Sequence, residues 1–357
     1  MAPQFRVDPV PYLLKSGPSV SYFARRDLLG EPVGSLGEVW KQPEAAKLLR
    51  GQNGDGSWGK PGGYPPHHRP MVETFKRIRL LIGRYEFDRM HQQVEAGSEF
   101  IFSTQTPEGD FRGMIGDQYA TYYTGELTGL LVKAGYGDDG RVDLAFRWLL
   151  SMRQDDGGWT IPILTLPPGG GMDRTVALTG APADPVEPDR SKPFSHNWTD
   201  MVLRAFAAHP RWRTSPEARH AAALLKSRFF KPDAYGSYRN PDYWVRFIQW
   251  WPNLLTSLES LSRLGFKADD PDIMKALQWF MDNQEPDGSW RTSYFPGNAV
   301  SPRLEPAERA WVTLRAARMF KGFFGVPLKA GFTASSLEKS LVNGVVRPRI
   351  GLQKMHS

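Results

Sequence analysis

A seven-residue string near the C-terminal end of the chain most constrains its fold. It reads Gln284-Glu-Pro-Asp-Gly-Ser-Trp290 and follows residues 270–283, which have the apolar spacing of an amphipathic helix. The Pro-Asp-Gly sequence ends such a helix in a turn. The string therefore predicts a helix, a glycine turn that reverses the chain, and a tryptophan that packs back on the turn.

The same string recurs along the chain. Its other copies are Gln52-Asn-Gly-Asp-Gly-Ser-Trp58, Gln105-Thr-Pro-Glu-Gly-Asp-Phe111, Gln154-Asp-Asp-Gly-Gly-Trp159 and a decayed form over residues 230–238. The first three glutamines lie 53 and 49 positions apart, and 54 positions separate residue 230 from residue 284. A constant period near 50 residues indicates a repeat architecture with one helical unit per copy.

One interval is longer, at 76 positions between residues 154 and 230. Residues 161–195 are rich in Pro and Gly and have little periodicity, so they predict an inserted loop. Loops of this length in a compact domain often form lids or binding loops. A surface insertion without a function is the alternative.

Two kinds of predicted helix alternate along the repeats. Those before each glutamine are amphipathic and are expected outside, whereas those after it are richer in aromatic and small residues and are expected inside. We predict an all-α fold, an α/α toroid of about six inner and five to six outer helices around a central cavity. It occupies residues 18–325, between an N-terminal tail (1–17) and a basic C-terminal tail (326–357). One long inner helix is expected over residues 243–264, bent or split at Pro252.

The pattern Q-x-x-D-G-x-W after an outer helix resembles the α/α toroid superfamily of terpenoid cyclases and protein prenyltransferases. Within it, the likeness is to small squalene-cyclase-like repeat proteins and extends over residues 18–320. Its other segments are Ser19-Val-Ser-Tyr-Phe23, residues 51–63, residues 264–271 and Trp311-Val-Thr-Leu-Arg315. The resemblance implies the toroid fold and a hydrophobic, terpenoid-like substrate, but a fold does not fix a reaction.

The chain departs from that superfamily in two respects. Protein prenyltransferases bind zinc through a cysteine, and this chain has none, which argues against prenyl transfer to a protein. Cyclases that start by protonation use D-x-D-D, whereas the nearest string here, Lys267-Ala-Asp-Asp270, begins with lysine. No metal and no cofactor is therefore predicted, although His67, His68 and His196 with a carboxylate would make a workable zinc set.

Composition limits the partners. Lys and Arg exceed Asp and Glu by 45 to 38, a net charge of +7, which can favour an anionic ligand or simply a solvated basic surface. Because no dense Lys/Arg block is present, no nucleic-acid partner is expected. Because no apolar run reaches about 18 residues, no membrane-spanning helix is expected. We expect a cytoplasmic protein with a small hydrophobic substrate, and a homo-oligomer is left open.

Candidate site residues come from the loops and first turns of the inner helices, which are expected to meet at one mouth of the toroid. The predicted catalytic residues are His196, Glu126, Asp200, Tyr123 and His67. The predicted substrate-binding residues are Tyr64, His68, Arg69, Glu73, Asp117, Tyr119, Tyr122, Asn197, Trp198, Tyr243, Trp244, Arg246, Trp250, Trp251 and Asn253. Each has a structural alternative, such as a core aromatic ring or a surface histidine pair.

These residues support a hypothesis about mechanism. A carboxyl group, Glu126 or Asp200, would work with His196 as an acid/base pair, inside an apolar pocket shaped by Tyr122, Tyr123, Trp198 and Trp250. Glu126 is expected well inside an aromatic helix, where an unpaired charge is costly, so it must be paired, hydrogen-bonded or protonated. A purely structural role, in which Glu126 ties two helices together, is the alternative.

Three functions remain open from the sequence. The first is an enzyme that cyclises, isomerises, or adds or removes water from a terpenoid-like substrate. The second is a carbohydrate-active lyase or hydrolase on the same fold, with Tyr or His as base and Arg neutralising a uronate. The third is a non-catalytic binding toroid. A dry aromatic cavity would favour the first, and an open groove with Arg and Tyr the second.

Overall fold

The computed structural model describes residues 5–166, 184–235, 239–247, 251–297 and 300–325. This part is helical, and its only strand-like features are isolated bridges. The α-helices are α1 (Val10–Leu14), α2 (Pro18–Phe23), α3 (Leu36–Trp40), α4 (Pro43–Leu49), α5 (His68–Tyr85), α6 (Gln92–Ser103), α7 (Thr121–Leu131), α8 (Gly140–Ser151), α9 (His196–Ala208), α10 (Pro216–Lys226), α11 (Leu254–Arg263), α12 (Pro271–Asp282) and α13 (Glu305–Phe324).

The helices form two concentric layers. Going round the inner layer, α5 contacts α7, α7 contacts α9, α9 contacts α11, α11 contacts α13, and α13 contacts α2. An ion pair of 2.8 Å between Arg26, in the π-helical extension of α2, and Glu86, which follows α5, closes the ring. The outer layer of the described residues is α1, α4, α6, α8, α10 and α12. The predicted all-α toroid is therefore confirmed.

The glutamines of the first two copies bond one outer helix to the next. The side-chain amide of Gln52 donates to Gly56 in its own turn at 2.8 Å and to Gln93, at the start of α6, at 2.7 Å. Gln105 makes the same pair of bonds to Gly109 and to Arg141 in α8. The repeat period therefore reflects a repeated hydrogen bond between neighbouring units.

The fourth strong copy closes the outer layer. The amide of Gln284 donates to Gly288 at 2.9 Å and to the carbonyl of Val7 at 2.7 Å, and its oxygen accepts the Val7 N–H at 3.1 Å. Phe5 packs edge-on against Trp290, with 5.8 Å between ring centroids. Residues 5–17 were predicted as part of a tail, but they contain α1 and complete the outer ring. Gln52 and Gln105 bond the outer helix of the next repeat, whereas Gln284 bonds Val7 in this N-terminal segment.

The turn glycines allow this close approach. Gly56, Gly109 and Gly288 have φ of 85°, 117° and 87°, a region that favours glycine. A Cβ on Gly56 would lie 2.1 Å from the carbonyl oxygen of Ala96 in α6, and one on Gly288 would lie 2.8 Å from that of Asp8. Glycine is required here by backbone conformation and by contact with the next unit.

The motif aromatics fasten the outer layer to the inner one. The Trp290 ring is fully buried, and its Nε1 donates to the carbonyl of Phe280 at 2.8 Å. In each strong copy the backbone N–H of the aromatic residue donates to a threonine hydroxyl of the inner helix that follows. These pairs are Trp58 with Thr74, Phe111 with Thr124, Trp159 with Thr199, and Trp290 with Thr313.

The inner helix expected over residues 243–264, bent or split at Pro252, is interrupted there as predicted, but its described first part is not α-helical. The chain forms a 3₁₀ turn at Pro241–Val245, and α11 begins only at Leu254. Asn253 caps it, because its side chain accepts the N–H groups of Leu255 and Thr256 while the Thr256 hydroxyl accepts the Asn253 N–H. The residue after Pro252 therefore starts the helix.

Two segments predicted from the sequence lie partly or wholly outside the described residues. Of the predicted loop 161–195, residues 167–183 are outside, and the described flanks hold a 3₁₀ turn at Pro162–Thr165 and an irregular segment from residue 184. The predicted C-terminal tail, residues 326–357, is wholly outside. Among the described helices, none combines the length and apolar character needed to cross a bilayer.

Candidate functional site

The inner helices enclose a central cavity of about 690 Å³. Helices α5, α7, α9, α11 and α13 line it, together with Arg246, Phe247 and part of the segment before α13. Its basic lining residues are Arg79, Arg84, Lys133, Arg204, Arg246, Arg263, Arg315 and Arg318, and its acidic ones are Glu126, Glu259 and Glu308. Eight basic groups against three acidic ones make the lining positive.

Each acidic residue of the lining is already bound to an arginine. Glu126 pairs with Arg204 at 3.0 Å, and Glu259 pairs with Arg315 at 2.5 Å. Glu308 accepts two hydrogen bonds from Arg84, at 3.0 and 2.7 Å. Arg318 is held from behind the cavity by Asp27 and Glu86. These carboxylates form ion pairs with four lining arginines, Arg84, Arg204, Arg315 and Arg318.

Arg204 also joins α9 to α11. It pairs with Asp200 at 2.7 Å, and Asp200 accepts hydrogen bonds of 2.9 Å from the hydroxyls of Thr256 and Ser257. Burial raises the pKa of Asp200, while Arg204 and the two hydroxyls oppose that rise. Asp200 is fully buried, so it acts on the cavity through Arg204 and does not face it.

Four basic residues of the lining have no carboxylate within ion-pair distance among the described residues: Arg79, Lys133, Arg246 and Arg263. Burial lowers the pKa of Arg79 to about 10 and that of Lys133 to about 8, where the charge of Arg263 adds to the effect. The Nε atoms of Arg79 and Arg246 are buried without a hydrogen-bond partner in this part of the chain. The cavity therefore carries unneutralised positive charge.

Most of the rest of the lining is apolar, beside the hydroxyl residues Thr256, Ser260 and Ser262. Its larger members are Leu80, Leu130, Phe247, Trp311, Val312 and Met319. The guanidinium of Arg84 lies 5.1 Å from the centre of the Trp311 ring, so even a paired arginine contacts this surface. The cavity is thus amphipathic, with fixed cations beside hydrocarbon and aromatic surface.

Of the predicted site residues that the structure describes, two line the cavity, Glu126 and Arg246. Asp200 is one contact away, through Arg204. The predicted convergence of His67, Tyr123, Glu126, His196 and Asp200 on one cavity is therefore found for the α7 and α9 carboxylates alone. The catalytic roles of all five remain predictions.

His196 lies in a separate buried cluster. Its ring stacks on Trp244 at 4.5 Å, and its Nδ1 is 3.8 Å from Asp233 in the decayed motif. Asp233 also accepts hydrogen bonds from Ser195 at 2.5 Å and Asn197 at 2.6 Å. Burial lowers the pKa of His196 to about 4, although Asp233 opposes this. The cluster fastens the start of α9 to the decayed turn.

The predicted aromatic pocket exists as a cluster at the start of α7 and α9. The Tyr122 ring is 4.1 Å from Tyr123 and 4.5 Å from Trp198, and Trp198 is 5.8 Å from Trp251. Ile161 and Ile163, from the beginning of the inserted loop, pack on it. The fourth predicted member, Trp250, lies outside the described residues.

The remaining candidates lie in loops, in the first turns of α5 or just before α11, and none is part of the cavity lining. Tyr64 donates to Asp117 at 2.7 Å, His68 bonds the carbonyl of Gly113 at 2.7 Å, and Tyr119 donates to Glu108 at 3.0 Å. The others are His67, packed against Gly113; Arg69, packed against Gly62; Glu73, paired with Lys76; Tyr243, edge-on to Phe295; and Asn253, the cap of α11.

The suggested zinc set is not brought together. Among the described residues, no group of three or more His, Asp or Glu side chains is placed to hold a metal ion. His196 packs with Trp244 in its own cluster, whereas His67 and His68 lie against Gly113. His196 is therefore in a different environment from His67 and His68.

Sequence reasoning missed most of the cavity residues because it examined the first turns of the inner helices. Arg79, Lys133, Arg204 and Arg263 lie in the later turns or just beyond. A signal was present, since a charged residue within an otherwise apolar helix must face a partner or a cavity. Asp200 and Arg204, four positions apart, also share one helix face.

Comparisons with known proteins add a likeness of fold. No family model matches the chain, and no curated protein matches it significantly. A glycosyl hydrolase family 88 structure from Bacteroides vulgatus is 12% identical, with a TM-score of 0.46 over 89% of this chain and 93% of that one.

Two further structures are similar. A variant of the type II terpene cyclase MstE from Scytonema, in complex with geranylgeranyl dihydroxybenzoate, is 12% identical, with a TM-score of 0.43 over 88% of this chain and 97% of that one. A protein from Actinoplanes is 15% identical, with a TM-score of 0.40 over 85% and 89%. At these values the likeness supports no inference about reaction or substrate, and the chemistry of this α/α toroid has to come from its own cavity.

Proposed function

We propose that the chain is an enzyme that acts on a small anionic molecule with an apolar body, held in the central cavity. The substrate remains terpenoid-like in its apolar part, but the purely hydrophobic substrate expected from the sequence is replaced by an amphipathic one. The reaction class stays as predicted: cyclisation, isomerisation, or addition or loss of water by acid/base chemistry.

The observation that carries this proposal is the set of four lining cations without a carboxylate partner: Arg79, Lys133, Arg246 and Arg263. Holding unneutralised charge inside a protein is unfavourable, and a bound anion relieves it. Fixed cations in a concave site also attract anions and raise their local concentration. The apolar lining, including Trp311 and Leu130, supports an apolar portion in the same ligand.

Among the predicted acid/base residues, Glu126 is the first to test in this proposal. Its side chain lines the cavity beside Arg204. We expect Glu126→Gln to lower turnover of the true substrate by about a hundredfold, the lower end of general acid/base effects. Melting temperature should change little, because Arg204 keeps Asp200 as a partner. A lower melting temperature with activity retained would assign Glu126 a structural role only.

A carbohydrate-active function is the second candidate, and the arginine lining supports it, since a uronate carboxylate would also be neutralised there. The version in which Tyr or His is the base has less support, because no Tyr or His of the described residues lines the cavity. A binding toroid without catalysis is the third candidate. A binding toroid would use the same anion site but would not convert its ligand.

Ligand binding measured by calorimetry separates these candidates. The probes are pyrophosphate, geranylgeranyl diphosphate, geranylgeraniol and digalacturonate. We expect the prenyl diphosphate to bind more tightly than either pyrophosphate or the uncharged alcohol, because it uses both surfaces. If digalacturonate binds most tightly of the four probes, the carbohydrate-active function replaces the terpenoid one.

Matched variants locate the site. Arg263→Met should weaken diphosphate binding by roughly tenfold, the loss expected for about 1.4 kcal/mol. Arg50→Met, at an exposed position after α4, is the control and should bind as the parent chain does. Equal binding by both variants, or no binding of any anion, would overturn the proposed function.

A further inference from the structure

One basic residue of the cavity differs chemically from the others. Arg79, Arg246 and Arg263 carry guanidinium groups, which stay protonated in proteins at neutral pH, whereas Lys133 carries an amine that can lose its proton. Lys133 follows α7 in a π-helical segment, Val132–Tyr136. Its side chain lines the central cavity and is accessible there.

The charged groups around Lys133 favour its neutral form. Arg263 from α11 and Arg204 from α9 oppose a positive charge on the amine, whereas Glu126 from α7 and Glu259 from α11 favour it. Helices α5 and α13 add Arg79, Arg84 and Arg315 to the same lining. Both carboxylates are already bound, Glu126 by Arg204 and Glu259 by Arg315. The balance at Lys133 is therefore set by burial and by neighbouring cations.

We propose that the amine of Lys133 is the proton acceptor of the central cavity. This inference rests on the proposed function, because it requires an anionic substrate to be bound there. The neutral amine takes a proton from the substrate through its lone pair and becomes an ammonium, and the electron pair of the broken bond stays on the substrate. The negative charge that develops is stabilised by the lining guanidiniums, which cannot themselves accept a proton.

The assignment gives each kind of cation a distinct role. Arginine holds and neutralises the anion without changing its own charge, and lysine changes charge during the reaction. Burial and Arg263 lower the pKa of Lys133 to about 8, close to the neutral range in which a general base works best. The new ammonium is stabilised by the bound anion, so substrate binding assists the proton transfer.

Competitive labelling of amines tests this inference without a known substrate. The intact folded chain is treated with trace acetic anhydride between pH 6 and 11, and acetylation of each lysine is followed by peptide mass spectrometry. We expect Lys133 to be labelled with a midpoint near pH 8. The exposed lysines of the same sample serve as the reference for an ordinary amine, about 10.4. Lys133→Arg confirms the assignment of the labelled peptide.

Two results would overturn the inference. One is a Lys133 midpoint that coincides with that of the exposed lysines. The other is a Lys133 that stays unlabelled throughout, because an amine that cannot meet a small reagent cannot meet a substrate. Circular dichroism before and after labelling shows that the chain remained folded.

A variant separates electrostatic tuning from a merely structural lysine. Arg263→Met removes one neighbouring cation and should raise the Lys133 midpoint by about half a pH unit or more, a shift within the range that a nearby charge produces. Arg50→Met, far from the cavity lining, should leave the midpoint unchanged. If both variants give the same Lys133 midpoint, Arg263 does not lower the pKa of Lys133. The proposed cause of the neutral amine would then be wrong.

Pyrophosphate distinguishes failure of this inference from failure of the proposed function. Added to the parent chain, it should raise the Lys133 midpoint and slow labelling of Lys133, with the exposed lysines unaffected. An ordinary midpoint together with protection by pyrophosphate would overturn the proton acceptor and keep the anion site. A low midpoint that pyrophosphate does not change, with no protection, would overturn the anion-binding function.

Discussion

At the scale of single residues, burial decides what each ionisable group can do. His196 and Lys133 are both basic, but His196 is packed against Trp244 with 4% of its surface exposed, whereas Lys133 faces a cavity. Desolvation disfavours the charged form of both. The histidine is packed in a cluster that leaves little of its surface open to a ligand. The lysine gains a reactive amine in a place where a ligand fits.

The buried histidine makes stability depend on pH. Its pKa falls from 6.5 to about 4 on folding, so between those values the unfolded chain binds a proton that the folded chain does not. Stability is therefore lost as pH falls from 6.5 to 4, by about 3 kcal/mol in all. We expect His196→Phe, which keeps a ring against Trp244, to lose less stability over that interval in urea titrations at each pH.

The control is His220→Phe, because His220 lies near the surface and bonds only the carbonyl of Asp156. It should follow the pH dependence of the parent chain. If His196→Phe and the parent chain lose stability in parallel between pH 6.5 and 4, His196 does not remain neutral in the folded protein.

At the scale of the elements, one hydrogen bond recurs between the layers. A motif aromatic residue donates its backbone N–H to a threonine on the next inner helix in all four strong copies. The threonine hydroxyl accepts this N–H and still fits on a buried helix face. The hydrogen bond thereby sets the position of each inner helix along its axis relative to the outer turn.

Helix α7 provides a matched pair to measure that bond. Thr124 and Thr128 are both fully buried and one turn apart. Thr124 accepts the Phe111 N–H at 3.2 Å, whereas Thr128 donates only to the carbonyl of Thr124. Thr124→Val should lower the free energy of unfolding by about 1–3 kcal/mol, because it leaves a buried N–H unpaired. Urea denaturation measures the change.

Thr128→Val is the comparison, since it keeps shape and removes a bond to a carbonyl that the helix already uses. We expect a loss below about 0.5 kcal/mol for this variant. Equal losses for the two valine variants would mean that the hydrogen bond to Phe111 contributes nothing beyond what any buried hydroxyl does.

At the scale of the whole molecule, the two ends of the described chain meet. Gln284, in the last strong motif, holds Val7 through two hydrogen bonds, and Arg6 donates to the carbonyl of Asp282 at 3.1 Å. The outer ring is complete only with these N-terminal residues.

Ring closure can be measured by proteolysis at Arg6. Gln284→Ala removes both bonds to Val7, and opening of the N-terminal segment should become easier by about 1.4 kcal/mol or more. Trypsin should then cleave after Arg6 roughly tenfold faster, as followed by intact mass. Gln278→Ala, on the exposed side of α12, is the control. Equal cleavage rates in both variants would show that Gln284 does not hold the ring closed.

The repeat, and with it the fold, could be predicted from the sequence alone. Gln, Gly and an aromatic residue are needed at fixed spacing because each meets a local requirement. The amide reaches two carbonyls, the glycine forms a turn with positive φ, and the ring fills the gap between layers. The start of α9 is set by the same kind of local requirement, since Ser195 caps it by accepting the Trp198 N–H. Such requirements act within a few residues and can be read from the chain.

The site depends on tertiary packing. Lys133, Arg204, Arg263 and Arg79 come from four different helical segments, and the charged groups around them include residues distant in sequence, as Glu126 is from Arg204. Whether a cation inside a helix faces a carboxylate or a cavity depends on the rotation of each helix, which packing sets. Glu126 was singled out correctly as a buried carboxyl, but its partner, Arg204, could be identified only once α7 lay against α9.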